Sequence, residues 1–210
     1  HSKFVKLYSF SSGATSPTNI KLVEEMISHL DEELFKNPST KFIDPCAGTG
    51  TFGVVLYDKL LKYHDSKWIL ENMIFMVDTS RVNYDLLKKL GFVNVYNENF
   101  LKLKFDMKFD VILGNPPYQD TSANREVFNQ LGNKKLWKLF LENSSKYVKD
   151  DGILSFLVPQ SCTKPTIYGE LPVSIKNMGD VRVLNVNTNV NSYFNGVGIN
   201  TGEAERLNTG

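Results

Sequence analysis

Phe109-Asp110-Val111-Ile112-Leu113-Gly114-Asn115-Pro116-Pro117-Tyr118 opens as an apolar, β-favouring run and stops at once in Asn-Pro-Pro-Tyr. Two consecutive prolines cannot continue a central strand, because neither offers an N–H to the ladder. Each also holds the residue before it extended. The stretch therefore predicts a strand that leaves a sheet and ends in a stiff, extended tetrapeptide. Carbonyls, the Asn115 amide and the Tyr118 phenol then project past the sheet edge. Polar acceptors beside an aromatic face can hold a flat, amino-bearing group. The plain alternative is a Pro-rich turn with a packing tyrosine, and the other stretches decide between the two.

Upstream, the pattern alternates between strands and helices. Residues 1–16 are polar and Ser-rich, and Pro17 fits the first position of a helix capped by Ser16. Ile20, Val23, Met26, Ile27, Leu30 and Leu34 follow at helical spacing up to Asn37-Pro38. His29 reads as a surface residue without a ligand partner. Lys41–Asp44 predicts a strand and Phe52–Tyr63 a helix with Phe52, Val55, Leu56 and Leu60 inward. Met73–Asp78 predicts a second strand. Arg81–Leu90 predicts a helix with Val82, Leu86, Leu87 and Leu90 on one face and Gly91 at its C-cap. Val93–Tyr96 and Asp110–Leu113 predict two more strands. Gln119–Lys135 is polar and irregular, a loop; Leu136–Val148 predicts a helix in which Trp137 packs. Asp150-Asp151-Gly152 turns into a strand over Ile153–Val158.

Strands alternating with helices predict a parallel sheet covered on both faces, wound doubly by right-handed crossovers. Asp44, Asp78 and Asn115 then all lie at strand carboxyl ends, the rim where ligands bind in such sheets. Beyond Val158 a short helix over Tyr168–Met178 and a hairpin of Val181–Val186 with Tyr193–Ile199 are expected. The last residues, 201–210, read as a polar tail.

Composition sets outer bounds. The chain has 210 residues, 41% hydrophobic and 22% charged, enough for one domain with a substantial core. No apolar run reaches the ~20 residues of a membrane helix, and no secretory signal is visible. Two distant cysteines, Cys46 and Cys162, make neither a disulfide framework nor a metal cluster and point to a reducing, cytoplasmic setting. A net charge of +1 neither demands nor excludes nucleic acid. His1 in place of an initiator Met points to a processed or engineered start.

Gly48-Thr49-Gly50-Thr51-Phe52-Gly53 satisfies G-x-G-x-x-G, with Asp78 at the end of the next strand. That matches a dinucleotide fingerprint, yet its physical content is broader. Glycines admit a ligand close to the backbone, and a carboxylate after the second strand can bind two ribose hydroxyls. Asp44 stands directly before the loop. A carboxylate there repels a pyrophosphate but attracts a methionine ammonium or sulfonium, which favours S-adenosylmethionine over NAD.

Phe42-Ile43-Asp44-Pro45-Cys46-Ala47-Gly48-Thr49-Gly50, followed by Asn115-Pro116-Pro117-Tyr118, resembles S-adenosylmethionine-dependent N6-adenine DNA methyltransferases whose cofactor motif precedes the Asn-Pro-Pro-Tyr motif. The resemblance implies a Rossmann-like methyltransferase sheet, mostly parallel with a C-terminal antiparallel hairpin. Residues 1–38 would form a segment and helix covering the cofactor site, and residues 39–200 the catalytic domain. Thr15 looks like the residue that covers the cofactor's methionine end. Asp44, Cys46, Ala47, Gly48 and Gly50 match the cofactor loop, and Asp78 the ribose-binding acid. Asn99-Phe100 stands where the family has an Asp that accepts from the cofactor's adenine amino group and a Phe against its ring. An amide oxygen can still accept, and Glu98 is a substitute. Phe194, in Asn191–Gly198, looks like the aromatic that stacks on the extruded base, a pattern that also fits a Phe in a hairpin core.

The resemblance implies that the Asn115 oxygen and the Pro116 carbonyl hold both hydrogens of a target amino group, with Pro117 stiffening the turn. Tyr118 and Phe194 would stack on an adenine flipped from DNA. The activity implied is methyl transfer to adenine N6 in DNA within a restriction-modification system, without a metal. Methyltransferases acting on RNA bases or protein glutamine share Asn-Pro-Pro-Tyr, and an NAD-dependent oxidoreductase shares the glycine pattern. A target-recognition domain and the final strand of the sheet are not apparent after Ile199. Recognition is therefore expected from a partner or another part of a longer protein.

Overall fold

The computed structural model describes residues 3–10, 18, 20–117, 136–159, 179–185 and 205–207. Its strands pair into one eight-stranded sheet: β1 (Lys3–Phe10), β2 (Phe42–Asp44), β3 (Ile74–Val77), β4 (Asn94–Tyr96), β5 (Phe109–Gly114), β6 (Val148–Pro159), β7 (Gly179–Asn185) and β8 (Glu205–Leu207). The spatial order is β4-β3-β2-β5-β6-β1-β7-β8. All neighbours are parallel except β7 and β8. Winding from β2 proceeds through β3 and β4 on one side and resumes through β5 and β6 on the other. The reversal falls between β2 and β5, where an open α/β sheet binds its ligand beyond the strand ends.

The helices are α1 (Ile20–Ser28), α2 (Glu32–Lys36), α3 (Thr51–Leu60), α4 (Ser66–Trp68), α5 (Arg81–Lys89) and α6 (Leu136–Tyr147), with a π turn over Ile69–Met73 after α4. Strand side chains alternate between faces, and this divides the core in two. Phe42, Ile74, Met76, Val111 and Leu113 pack with α1, α2, α3 and Leu87 of α5. Ile43, Phe75, Val77, Ile112, Leu154 and Phe156 pack with α6 and Phe100 on the opposite face. Trp137 packs there as expected, at 1% exposure. Cover on both faces is why Ile74-Phe75-Met76-Val77 is an unbroken apolar run, buried throughout. Among the described residues, no helix is long and apolar enough to cross a membrane.

Several elements differ from the sequence reading. The single helix expected up to Asn37 is two, because the Asp31 side chain accepts the Glu33 N–H at 3.0 Å and starts α2 afresh. Leu22, Val23, Met26 and Ile27 of α1 are buried, whereas Ile20 is half-exposed. The proposed cap, Ser16-Pro17, lies outside the described residues. On α5, only Leu87 of the four expected residues is buried; Val82, Leu86 and Leu90 are exposed. This helix packs beside the edge strand β4, so its contact with the core is a narrow line. The loop expected at Asp150–Gly152 is absorbed into β6, with Asp151 at φ +63° and a shift in pairing with β5 between Phe109 and Val111.

β1 was not anticipated, although Phe4-Val5-Lys6-Leu7-Tyr8 favours a strand. It enters parallel between β6 and β7, with Tyr8 opposite Leu157 and Leu184. Residues 3–10 and 20–36 therefore share the sheet and core with the rest of the chain. His29 is exposed but has a partner. Its Nδ1 lies 3.0 Å from the buried Tyr8 hydroxyl, the two rings stack, and Lys6 Nζ donates to the His29 carbonyl. The antiparallel partner of β7 is β8, in the stretch read as a tail. Gln119–Lys135, Tyr168–Met178 and Tyr193–Ile199 lie outside the described residues.

The orientation of α5 has a measurable consequence. Leu87→Ala is expected to cost about 2–4 kcal/mol, whereas Val82→Ala stays within about 0.5 kcal/mol. Urea unfolding of the two variants checks this; equal losses would restore the face expected from the sequence.

Candidate active site

The site is built on the loop that joins β2 to α3. Asp44 ends β2, and Gly50 caps α3 in the left-handed region at φ +89°. A Cβ on Gly50 would also lie 2.4 Å from Leu87 Cδ2, so only glycine fits. Gly48 turns the loop at φ +56°, with open space where a side chain would be. Gly53 lets α3 settle on the sheet, since a Cβ there would come within 2.8 Å of Met76 Sδ. The three glycines of the motif thus serve the turn, an open approach and helix–sheet packing.

The loop's own N–H groups are largely spent within the protein. Cys46 N–H donates to Asp44 Oδ1 at 3.0 Å and Gly48 N–H to Asp78 Oδ2 at 2.8 Å. Ala47 N–H donates to the Val77 carbonyl and Gly50 N–H to the Ala47 carbonyl, both at 2.9 Å. Four amides that a phosphate cradle would aim outward instead bind two carboxylates and two carbonyls.

Asp44 is 2% exposed, and its second oxygen, Oδ2, is buried without a hydrogen-bond partner among the described residues. Burial, aided by the nearby Asp78 charge and opposed by the Cys46 N–H, pushes its carboxyl up from 3.8 to about 7. Burial and the same two carboxylates push the Cys46 thiol well above its ordinary value, so it sits as a neutral thiol. An orphaned buried acceptor is costly, and it suits a cationic ligand group.

Asp78 follows β3 and is held on every side. Its Oδ1 accepts from Ser80 N–H at 2.8 Å and Asn83 Nδ2 at 3.1 Å. Its N–H donates to the Tyr96 carbonyl, and Asn97 Nδ2 grips the Asp78 and Thr79 carbonyls at 3.0 and 3.1 Å.

The second motif adjoins this loop. A Cβ on Gly114, the residue before Asn115, would lie 2.7 Å from Asp44 Oδ1 and 3.3 Å from Cys46 Sγ. Asn115 is half-buried and its Nδ2 donates to Thr18 Oγ1 at 3.1 Å, just ahead of α1; Pro116 is buried and Pro117 half-buried. Thr15, Tyr118 and Phe194 lie outside the described residues.

Asn99 and Phe100 lie in the turn that follows β4. Phe100 is 1% exposed, inside an aromatic cluster with Phe105, Phe140 and Tyr147. Its ring belongs to the core layer under α6. Asn99 is 5% exposed and its side-chain oxygen accepts the Leu101 N–H at 3.0 Å, while Glu98 Oε1 accepts the Asn99 N–H at 2.8 Å. The Asn99 amide thus closes the turn after β4. Thr18, Ser80, Asn83 and Asn97 were missed by the sequence reading. Ser80 three residues before Asn83 is a legible cap pattern, since Ser80 Oγ accepts the Asn83 N–H at the start of α5; the other two carry no local signal.

The donor set fits an adenosyl ligand with a cationic tail. Asp78 could meet ribose hydroxyls, the open side of Gly48 admits a ligand to the backbone, and the unpartnered Asp44 oxygen could receive a cationic group.

Comparison with known proteins agrees with this architecture. The family described as "Eco57I restriction-modification methylase" matches residues 55–179. Modification methylase CviBIII of Paramecium bursaria Chlorella virus NC1A is 26% identical over 152 residues, covering 70% of this chain and 38% of that protein. The chain thus spans less than half the length of this curated relative. Among solved structures, the DrdV–DNA complex superposes with a TM-score of 0.65 at 17% identity, over 89% of this chain and 26% of that one. A type I restriction-modification methyltransferase subunit from Streptococcus thermophilus gives 0.55 at 19%, over 88% and 42%. These likenesses establish a Rossmann-like methyltransferase fold. With more than half of its length matched by the family, the chain belongs to the Eco57I restriction-modification methylases.

Proposed function

We propose that this chain is the catalytic region of an enzyme that methylates the N6 amino group of adenine in DNA, with S-adenosylmethionine as donor, in a restriction-modification system. The observation that carries the proposal is the contact at Gly114, where the Asn-Pro-Pro-Tyr strand lies against the Asp44–Cys46 end of the cofactor loop. In this reading donor and acceptor sites meet where the winding reverses between β2 and β5. Family membership and the DNA bound to DrdV support the choice of DNA as substrate. The internal use of four loop amides favours a ligand without a pyrophosphate.

When bound, S-adenosylmethionine supplies an electrophilic methyl group on a sulfonium. Asp78 would hold the ribose and Asp44 the cationic methionine end, with Cys46, Ala47, Gly48 and Gly50 as the loop wall. Asn115 and the Pro116 carbonyl would accept the two amino hydrogens of the adenine. The amino lone pair is delocalised into the purine, and two acceptors placed on its hydrogens favour a pyramidal, more nucleophilic nitrogen. Once methylated, the nitrogen would be cationic and would release its proton to solvent, so no strong base is needed. Rate acceleration then comes from positioning and electrostatics. Thr18 fixes the Asn115 amide by accepting from its nitrogen, which turns the oxygen away from Thr18. Tyr118 and Phe194 would stack on the extruded base, and Thr15 would lie over the methionine end.

Tritium transfer from S-adenosylmethionine to plasmid DNA, read after digestion to nucleosides, is expected to label N6-methyldeoxyadenosine. Asn115→Ala is expected to lower transfer by at least about a hundredfold while leaving cofactor affinity within about threefold. Label in protein or RNA alone would overturn the DNA reading.

Asp44 gives a pH signature. With its folded-state carboxyl near 7 against an ordinary 3.8, the folded chain holds a proton that the unfolded chain releases. That contribution is whole below about pH 4 and is lost as pH rises through 7. Asp44→Asn removes the loss, so the variant is expected to exceed the parent in stability at pH 8, by on the order of 2–4 kcal/mol. Near pH 5 the gap closes to about 1 kcal/mol. Urea unfolding at the two pH values measures it; a gap of equal size at both would refute the assignment.

A further inference from the structure

Resting on the S-adenosylmethionine reading, we propose that Asn83 is a positioning residue of the cofactor site that fixes the Asp78 carboxylate for the ribose hydroxyls. A carboxylate offers about four lone-pair positions on its two oxygens. Among the described residues, three are taken within the protein. Oδ1 accepts from Ser80 N–H and Asn83 Nδ2, and Oδ2 accepts from Gly48 N–H. Two of these donors are backbone amides held by their turns. Asn83 is the side-chain donor of the three, and it sets the plane in which the carboxylate presents its remaining acceptor position on Oδ2.

Asn83 is itself placed. It stands in the first turn of α5, where its N–H donates to the capping hydroxyl of Ser80 at 3.3 Å. Asn97, from the end of β4, holds the Asp78 and Thr79 carbonyls from the other side. Backbone and side chain of Asp78 are therefore locked before a ligand arrives, and the ordering cost of binding falls. The Asn83 amide also brings an acceptor oxygen of its own next to Asp78. A pair of vicinal hydroxyls thus meets Asp78 Oδ2 and an amide oxygen on one neighbouring side chain, which a lone carboxylate with three donors already bound could not provide.

The test is calorimetric binding of S-adenosylhomocysteine, and competition by its 2′-deoxy and 3′-deoxy counterparts, to the full chain and its variants. Asn83→Ala is expected to weaken S-adenosylhomocysteine about tenfold. For at least one deoxy ligand the loss shrinks to about twofold, because the hydroxyl served by the Asp78–Asn83 pair is gone. Asn83→Asp is expected to weaken binding further, since it removes the donor and sets a second carboxylate beside Asp78. Asn83→Gln, which keeps the amide, recovers part of the affinity. Melting temperatures of all variants report the fold. Parent-like affinity in Asn83→Ala overturns the assignment, and so does the same loss for all three ligands, which marks a purely structural effect. A parent chain that binds none of them overturns the cofactor reading and this assignment together.

Discussion

Asp44 and Gly114 lie side by side at the carboxyl ends of β2 and β5, and the room between them is set by a missing side chain. Any Cβ at position 114 would press on Asp44 Oδ1 and Cys46 Sγ. The pairing of Phe42 with Val111 and Ile43 with Ile112 brings the two strand ends level. The loop after β2 and the tetrapeptide after β5 must therefore share one small volume. That volume holds a buried carboxylate with one oxygen unpartnered among the described residues, an arrangement that costs stability and persists where a site requires it. The rest of the fold serves to keep these two ends together: two apolar layers, one on each face, clamp strands only a few residues long.

Rigidity reaches the site along the glycine loop. Cys46 and Gly48 donate their amides to Asp44 and Asp78 in turn, so two carboxylates on neighbouring strands are tied through three residues of backbone. Asp78 continues the tie into α5 and β4 through Ser80, Asn83 and Asn97. The same amides would be the anion receptors of a dinucleotide enzyme. Their internal use, together with the two carboxylates at the carboxyl ends of β2 and β3, turns a shared glycine pattern toward a ligand that carries positive charge and hydroxyls.

How far the sequence alone disclosed this depends on how local each constraint is. Ile74–Val77 and Val111–Leu113 are buried on both faces, so their apolar runs announce themselves as strands. Asp44, Asp78 and Asn115 were readable because each follows such a run and so must sit on the rim. The helix face of α5 was misread for the opposite reason: Val82, Leu86 and Leu90 keep a helical period although an edge position leaves them in solvent. Periodicity reports which residues could be buried together, not how much core is there to receive them. The aromatic cluster around Phe100 was not legible, because Phe140 and Tyr147 join it from a helix far along the chain. β1 escaped notice because its pairing partners lie more than a hundred residues away in sequence, beyond anything a local pattern can register.

That strand also explains how the amide of Asn115 is held. β1 takes its register from β6 and β7, and its Tyr8 and Lys6 hold His29, one residue beyond the end of α1. Leu22, Val23, Met26 and Ile27 then press α1 onto the sheet. A helix of nine residues is a stiff rod about 13 Å long, so fixing its far end and its apolar face also fixes its start. Thr18 stands two residues before that start and accepts from Asn115 Nδ2. An amide can turn about its last bond and exchange donor for acceptor. Here the hydroxyl of Thr18 pairs with the amide nitrogen, which leaves the oxygen on the side away from Thr18. The polarity of the Asn115 amide is thus set by a residue of the N-terminal segment, and the strand inside the stretch read as polar and Ser-rich is part of what holds that residue in place.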